Sequence, residues 1–171
     1  MRLGVLDVGS NTVHLQIMDA HHGSAPVAHQ SFKEEIRLAE YLTPDGQLSS
    51  DGISTLLRTL TRIKNEAREV HIYETLAFAT SAIREASNSD VVLSSVRDET
   101  GIDLQVLSGE EEACFTFLAV RRWVGWSAGD VICLDIGGGS LEIAAGVGEI
   151  PSYTDSVMLG ASRMTRQLLS G

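Results

Sequence analysis

Twice in 171 residues an apolar strand ends on an aspartate, crosses a short glycine-containing turn and returns as another strand. The first copy is "VLDVGSNTVHLQ", starting at Val5, and the second is "CLDIGGGSLE", starting at Cys133. Glycine permits φ > 0 and lets backbone N–H groups converge on an anion without a Cβ in the way. A carboxylate beside such donors repels an anion unless a cation lies between them, and hard oxygen ligands suit Mg²⁺. Two such units in one short chain call for one explanation: a paired phosphate cradle on a duplicated fold.

The rest of the sequence fits the duplication. Residues 2–8 and 12–19 alternate as strands, with Val13, Leu15 and Ile17 on one face, and "DAHHGSAP" reads as a turn before a third, partly exposed strand over 27–38. After the loop "TPDGQLSSDG", with Ser50 or Asp51 as N-cap, Ile53, Leu56, Leu57, Leu60 and Ile63 have helical spacing. A strand is expected over 69–80, a helix over 81–101 interrupted near residues 87–88 and closed by Gly101, and a strand over 102–108. Residues 109–124 read as a helix with acids in its first turn and arginines toward its end, both favourable to the helix dipole. Then 130–136, 140–148 and 150–158 repeat the opening three-strand pattern, and "LGASRMTRQLLSG" begins a helix.

The expected architecture is therefore α/β, a mixed sheet with a three-stranded antiparallel meander and flanking helices, followed by a second similar domain that is truncated. The first domain is expected over 1–125, including the linking helix, and the start of the second over 126–171.

In the first loop Asp7 is the candidate metal carboxylate, and Gly9, Ser10, Asn11 and Thr12 supply backbone and neutral side-chain donors. In the second, Gly137, Gly138, Gly139 and Ser140 form the cradle. Asp135 and Glu142 stand on the two arms of one hairpin, and strand alternation lets both reach one Mg²⁺. For either loop alone a tight hairpin with solvated acids is an equal reading, but the repeat favours the cradle. In "SGEEEA", Glu110 and Glu111 complement a helix N-terminus. Glu112, followed by Ala113 and an apolar face, points inward as a general base with a raised pKa. Arg84 in "ATSAIREASN" follows a strand end at the start of a helix, where it clamps a phosphate or else forms a surface salt bridge. His14 lies on the polar face of the second strand.

Composition narrows the class. A net charge of −10 excludes a chain that coats nucleic acid, whose footprint would be basic, but permits a local anion site. No apolar run approaches the roughly 20 residues that span a bilayer, and "MRLGVLDVG" reaches an aspartate too early for a signal-peptide core, so a cytoplasmic protein with no membrane contact is expected. The two cysteines, Cys114 and Cys133, have neither metal-site nor disulfide spacing and read as small core residues.

Six segments in order, "DVGSNTVHL", "EEIRLAEYLTPDGQLSSDGI", "ATSAIREASN", "LSGEEEACFTFLAV", "DIGGGSLEI" and "LGASRMT", resemble the exopolyphosphatase / guanosine pentaphosphate phosphatase (Ppx/GppA) family. The resemblance implies an actin-like phosphotransferase fold of two ribonuclease H-like domains with the active site in the cleft between them. It also implies that Glu112 matches the water-activating base, that Asp135, Glu142 and Asp7 match the Mg²⁺ carboxylates, and that Ser10, Asn11, Arg84 and residues 137–140 match the phosphate contacts. The expected substrate is inorganic polyphosphate, cleaved at its terminal phosphoanhydride, with guanosine pentaphosphate as the alternative that these loops do not separate. Relatives continue past residue 171, so a weak or inactive chain on its own, with an open sheet edge that invites a homodimer, is expected.

Three other classes compete. An actin-like ATPase or sugar kinase uses similar loops but does not account for "SGEEEA" and "ATSAIREASN". A non-catalytic phosphate or nucleotide sensor would not need Glu112. A nuclease of the ribonuclease H type clusters its carboxylates on one sheet, whereas these acids are expected on two domains.

Overall fold

A computed structural model describes residues 1–168. The chain separates into two compact units, Met1–Val106 and Leu107–Gly171.

In the first unit, β1 (Arg2–Val8), β2 (Thr12–Asp19) and β3 (Val27–Glu35) form the expected antiparallel meander. β4 (Glu74–Ala79) then pairs parallel to β1, and β5 (Gln105–Val106) parallel to β4, giving the order β3-β2-β1-β4-β5. Alternation works as the sequence predicts: Leu6, Val8, Val13, Leu15 and Ile17 point to one face and are buried. Against them lie Leu56, Leu60 and Ile63 of α1 (Ser50–Glu66) and Val92 and Val96 of α3 (Ser89–Thr100). The N-cap of α1 is Ser49, one residue before the expected Ser50 or Asp51; its hydroxyl accepts from the Gly52 amide at 3.2 Å. Between β4 and α3, residues 81–84 form a separate single turn, α2 (Ser81–Arg84).

In the second unit, β6 (Val131–Ile136), β7 (Leu141–Gly146) and β8 (Tyr153–Val157) repeat the antiparallel meander, with α5 (Ala161–Leu168) after it. α4 (Gly109–Val124) packs on this sheet, because Ala113 and Phe117 form one apolar cluster with Cys133 and Ala144. A division at 125/126 follows the repeat in the sequence; packing draws the line before α4, at 106/107. Alternation leaves Ile132, Leu134 and Ile136 on the opposite face, each more than 60% exposed. Arg121, one of the arginines near the end of α4, turns inward. It is 2% exposed, donates to the Gly129 carbonyl at 2.7 Å and lies 5.1 Å above the Trp126 ring. Among the described residues no helix is long and apolar enough to cross a membrane.

Candidate active site

In the first unit the loop after β1 is closed by one backbone hydrogen bond, Gly9 N–H to Thr12 C=O, at 2.9 Å. Asp7 is exposed near the end of β1, beside His14 of β2 and Phe78 of β4 in register. Ser10 is 5% exposed, and its Oγ lies 2.6 Å from that of Ser81, itself 4% exposed. This bond ties the loop to the first residue of α2, whose last residue is Arg84. Arg84 therefore stands one turn into a short helix, half-buried, and not at the start of the long helix expected from the sequence. Asn11 and Thr12 are half-buried on the same loop. His14 is bound across the sheet to Ser31, Nε2 to Oγ at 2.7 Å.

The second unit repeats the closure. Gly137 N–H donates to Ser140 C=O at 3.0 Å, and Gly137 and Ser140 have the same separation as Gly9 and Thr12. A Cβ on either glycine would meet that acceptor carbonyl oxygen at 3.3 Å, so both positions are tight in the same way. Asp135 and Glu142 are direct cross-strand partners, as the alternation argument requires. Glu142 is only 2% exposed, with the Ser156 hydroxyl donating to its Oε1 at 2.9 Å. Asp135 is half-buried and accepts from the Thr116 hydroxyl of α4 at 3.1 Å.

α4 brings the candidate base to this neighbourhood. Its start is fixed by a capping box in which Ser108 Oγ accepts from the Glu111 amide at 3.1 Å and Glu111 Oε2 accepts from the Ser108 amide at 2.8 Å. Glu111 is thus a cap, as its sequence position implies, and Glu110 stays in the first turn. Glu112 is half-buried, one helical turn before Thr116 and on the same face. Glu112, Asp135, Glu142 and the glycine loop all belong to the second unit; Asp7, Gly9, Ser10, Asn11, Thr12 and Arg84 belong to the first.

The donor chemistry fits Mg²⁺. Mg²⁺ is commonly held by one or two carboxylates plus water and substrate phosphates, and two carboxylates on facing strands, one of them buried, supply that. No group of three or more His, Cys, Asp or Glu side chains that could hold a metal forms among the described residues. Cys133 shares the face of Asp135, and burial, with the Asp135 charge second, pushes its thiol pKa up. It is an inert core residue. Ser81 and Thr116 escaped the sequence reading; a hydroxyl four residues beyond a candidate base was the only available signal for Thr116, and Ser81 had none.

Residues 17–171 match the Ppx/GppA phosphatase family. Exopolyphosphatase 1 of Mycobacterium tuberculosis (strain ATCC 25618 / H37Rv) is 53% identical over 169 residues, 99% of this chain and 49% of that protein. The guanosine-5'-triphosphate,3'-diphosphate pyrophosphatase of Photobacterium profundum is 30% identical over 155 residues, 91% of this chain and 31% of that protein. The crystal structure of an exopolyphosphatase from Cytophaga hutchinsonii superposes with a TM-score of 0.90 at 28% identity, covering 98% of this chain and 54% of that one. The chain spans about half the length of the mycobacterial relative it matches.

Proposed function

The chain belongs to the Ppx/GppA phosphatase family, and on that premise we propose that it supplies both phosphate loops, the metal carboxylates and the general base of a cytoplasmic exopolyphosphatase. The observation that carries the reading is the Asp135–Glu142 pair beside the glycine loop. Two carboxylates facing each other across one hairpin beside an anion cradle, one of them 2% exposed, are a donor set that a hard cation would share.

In the proposed reaction the loop amides and hydroxyls of residues 137–140 bind and orient the terminal phosphate of inorganic polyphosphate, and residues 9–12 with Arg84 are the phosphate donors proposed for the first unit. Glu112 accepts a proton from a water molecule, whose oxygen bonds to the terminal phosphorus as the bridging P–O bond breaks. Orthophosphate leaves, and the chain is one unit shorter. Asp135 and Glu142 would hold Mg²⁺, which when bound neutralises charge on the transferred phosphoryl group, and Asp7 is the metal carboxylate proposed for the first unit. Thr116 holds Asp135 in place, and Ser156 does the same for Glu142. Guanosine pentaphosphate is the second reading, favoured by the family match and by the likeness to the Photobacterium protein, which is weaker than the mycobacterial one. A homodimer belongs to the same proposal.

The test joins this chain to the remaining half of the mycobacterial relative and measures orthophosphate release from long-chain polyphosphate with Mg²⁺. Glu112→Gln should lower the rate by about 10²–10⁴-fold, the usual contribution of a positioned general base. Undiminished release by Glu112→Gln removes the assigned base. Cleavage of guanosine pentaphosphate with polyphosphate left intact reverses the substrate assignment.

A further inference from the structure

The second glycine loop is held from behind. Each of its three glycine carbonyls accepts a hydrogen bond from the segment that follows β8. Gly137 C=O takes the Ala161 amide at 2.9 Å, Gly138 C=O the Arg163 amide at 3.0 Å, and Gly139 C=O the Gly160 amide at 3.1 Å. Gly139 C=O also accepts from Arg163 Nε at 3.0 Å. First-turn amides of α5, which have no partner within their own helix, are thus satisfied by the loop.

The direction of these bonds matters. Across a trans peptide, the carbonyl of one residue and the N–H of the next point opposite ways. Holding the carbonyls of residues 137–139 toward α5 turns the amides of Gly138, Gly139 and Ser140 away from it. The amides of Gly138 and Gly139 make no hydrogen bond among the described residues. Were the loop to flip, it would offer an anion three carbonyl oxygens.

The first loop is held in the same register. Asn11 C=O accepts from the Ile36 amide at 2.8 Å, and Ser10 C=O from the Ala39 amide at 3.3 Å. Residues 36 and 39 are three apart, as are 160 and 163, and both pairs follow the third strand of a meander. In the first unit the segment also needs Arg37 at φ 46°, where its amide reaches Asn11 C=O at 3.0 Å; it is the one non-glycine residue with positive φ among those described. In the second unit the approach is closer still. A Cβ on Gly160 would lie 2.3 Å from the Gly139 carbonyl carbon and 2.5 Å from that of Gly138.

We propose that residues 160–163 are a backbone latch that sets the amide direction of the second loop, with Gly160 and Arg163 as its positioning residues and residues 36–39 as its counterpart in the first unit. The ligand side of this inference rests on the phosphate reading above; the latch itself does not.

The experiment uses this chain, isotope-labelled, with Arg163→Met, Arg163→Lys and Gly160→Ala. Without ligand, backbone order at residues 138–140, read by ¹⁵N relaxation, should drop in Arg163→Met and Gly160→Ala and recover partly in Arg163→Lys, whose ammonium can still reach Gly139 C=O. With tripolyphosphate and Mg²⁺, the amide shifts of residues 138–140 should titrate at least tenfold more weakly in Arg163→Met than in wild type, with Arg163→Lys in between. Unchanged loop order in Arg163→Met overturns the latch, and does so even if Gly160→Ala fails to fold. Loosened loops that bind tripolyphosphate as tightly as wild type overturn the positioning role. A wild-type chain that ignores tripolyphosphate counts against the phosphate reading, and the latch is then decided by the ligand-free order alone.

Discussion

Removing the hydroxyl of Ser10 or of Ser81 should cost more than removing both would suggest by addition. The two Oγ atoms are 2.6 Å apart and each residue is at most 5% exposed, so neither hydroxyl has water to fall back on. Ser10→Ala leaves Ser81 with a buried, unpaired hydroxyl, and Ser81→Ala does the converse; each should destabilise the first unit by about 1–3 kcal/mol. The double variant removes both polar groups and leaves no orphan, so its cost should fall short of the sum by about 1 kcal/mol or more. Urea unfolding followed by far-UV circular dichroism reads the effect. Both tryptophans, Trp123 and Trp126, lie in the second unit, so tryptophan fluorescence follows that unit separately. Strictly additive single effects would refute the reasoning, as would changes below about 0.3 kcal/mol. The double variant should also separate stability from binding: it recovers part of the loss while the first loop remains untied from the turn that carries Arg84.

Other outcomes follow from the same geometry. Glu142→Gln should leave the melting temperature of the free chain near that of wild type but abolish the upward shift produced by Mg²⁺ with tripolyphosphate; a persisting shift in thermal melting would mean Glu142 holds no cation. Gly52→Ala would gain about 0.5–1 kcal/mol by helix propensity, yet its Cβ would stand 2.6 Å from Tyr41 Cβ and 2.8 Å from Leu48 Cδ1, so melting should instead reveal a net loss of about 1–2 kcal/mol. The Asp19 carboxyl is held below its usual pKa chiefly by hydrogen bonds from Arg2, with burial opposing. A lowered folded-state value means this contribution is complete above the ordinary carboxylate range and fades as pH falls through the lowered value. Arg2→Ala should raise the Asp19 titration midpoint seen by NMR and flatten the acid limb of the stability curve; an unmoved midpoint would contradict the assigned cause.

Legibility in the sequence tracks how local the cause is. The strand faces of Val13, Leu15 and Ile17 follow from alternation alone, and so does the pairing of Asp135 with Glu142, since a hairpin of known turn length fixes its register. The capping role of Glu111 is written in its spacing from Ser108. What stayed hidden depends on partners distant in sequence. Ser10 meets Ser81 across 71 residues, and Gly160 meets a loop 21 residues upstream through backbone atoms that carry no sequence signature. Arg121 has a dipole-serving position near a helix end, yet it is buried, donating to the Gly129 carbonyl and lying over the Trp126 ring. The expected strand over 102–108 shrank to Gln105–Val106, which pairs only with Phe78 and Ala79 at the end of β4.

The contrast between the two thiols gives the chain a single labelling address. Cys133 is enclosed between α4 and the second sheet, with its pKa raised, so at neutral pH it stays protonated and out of reach of alkylating reagents. Cys114 is half-buried on α4, two residues after Glu112 and two before Thr116. A maleimide dye therefore attaches to α4 without mutagenesis, on the side of the helix turned away from Glu112 and Thr116, with Trp123 at the far end of the same helix and Trp126 just beyond it.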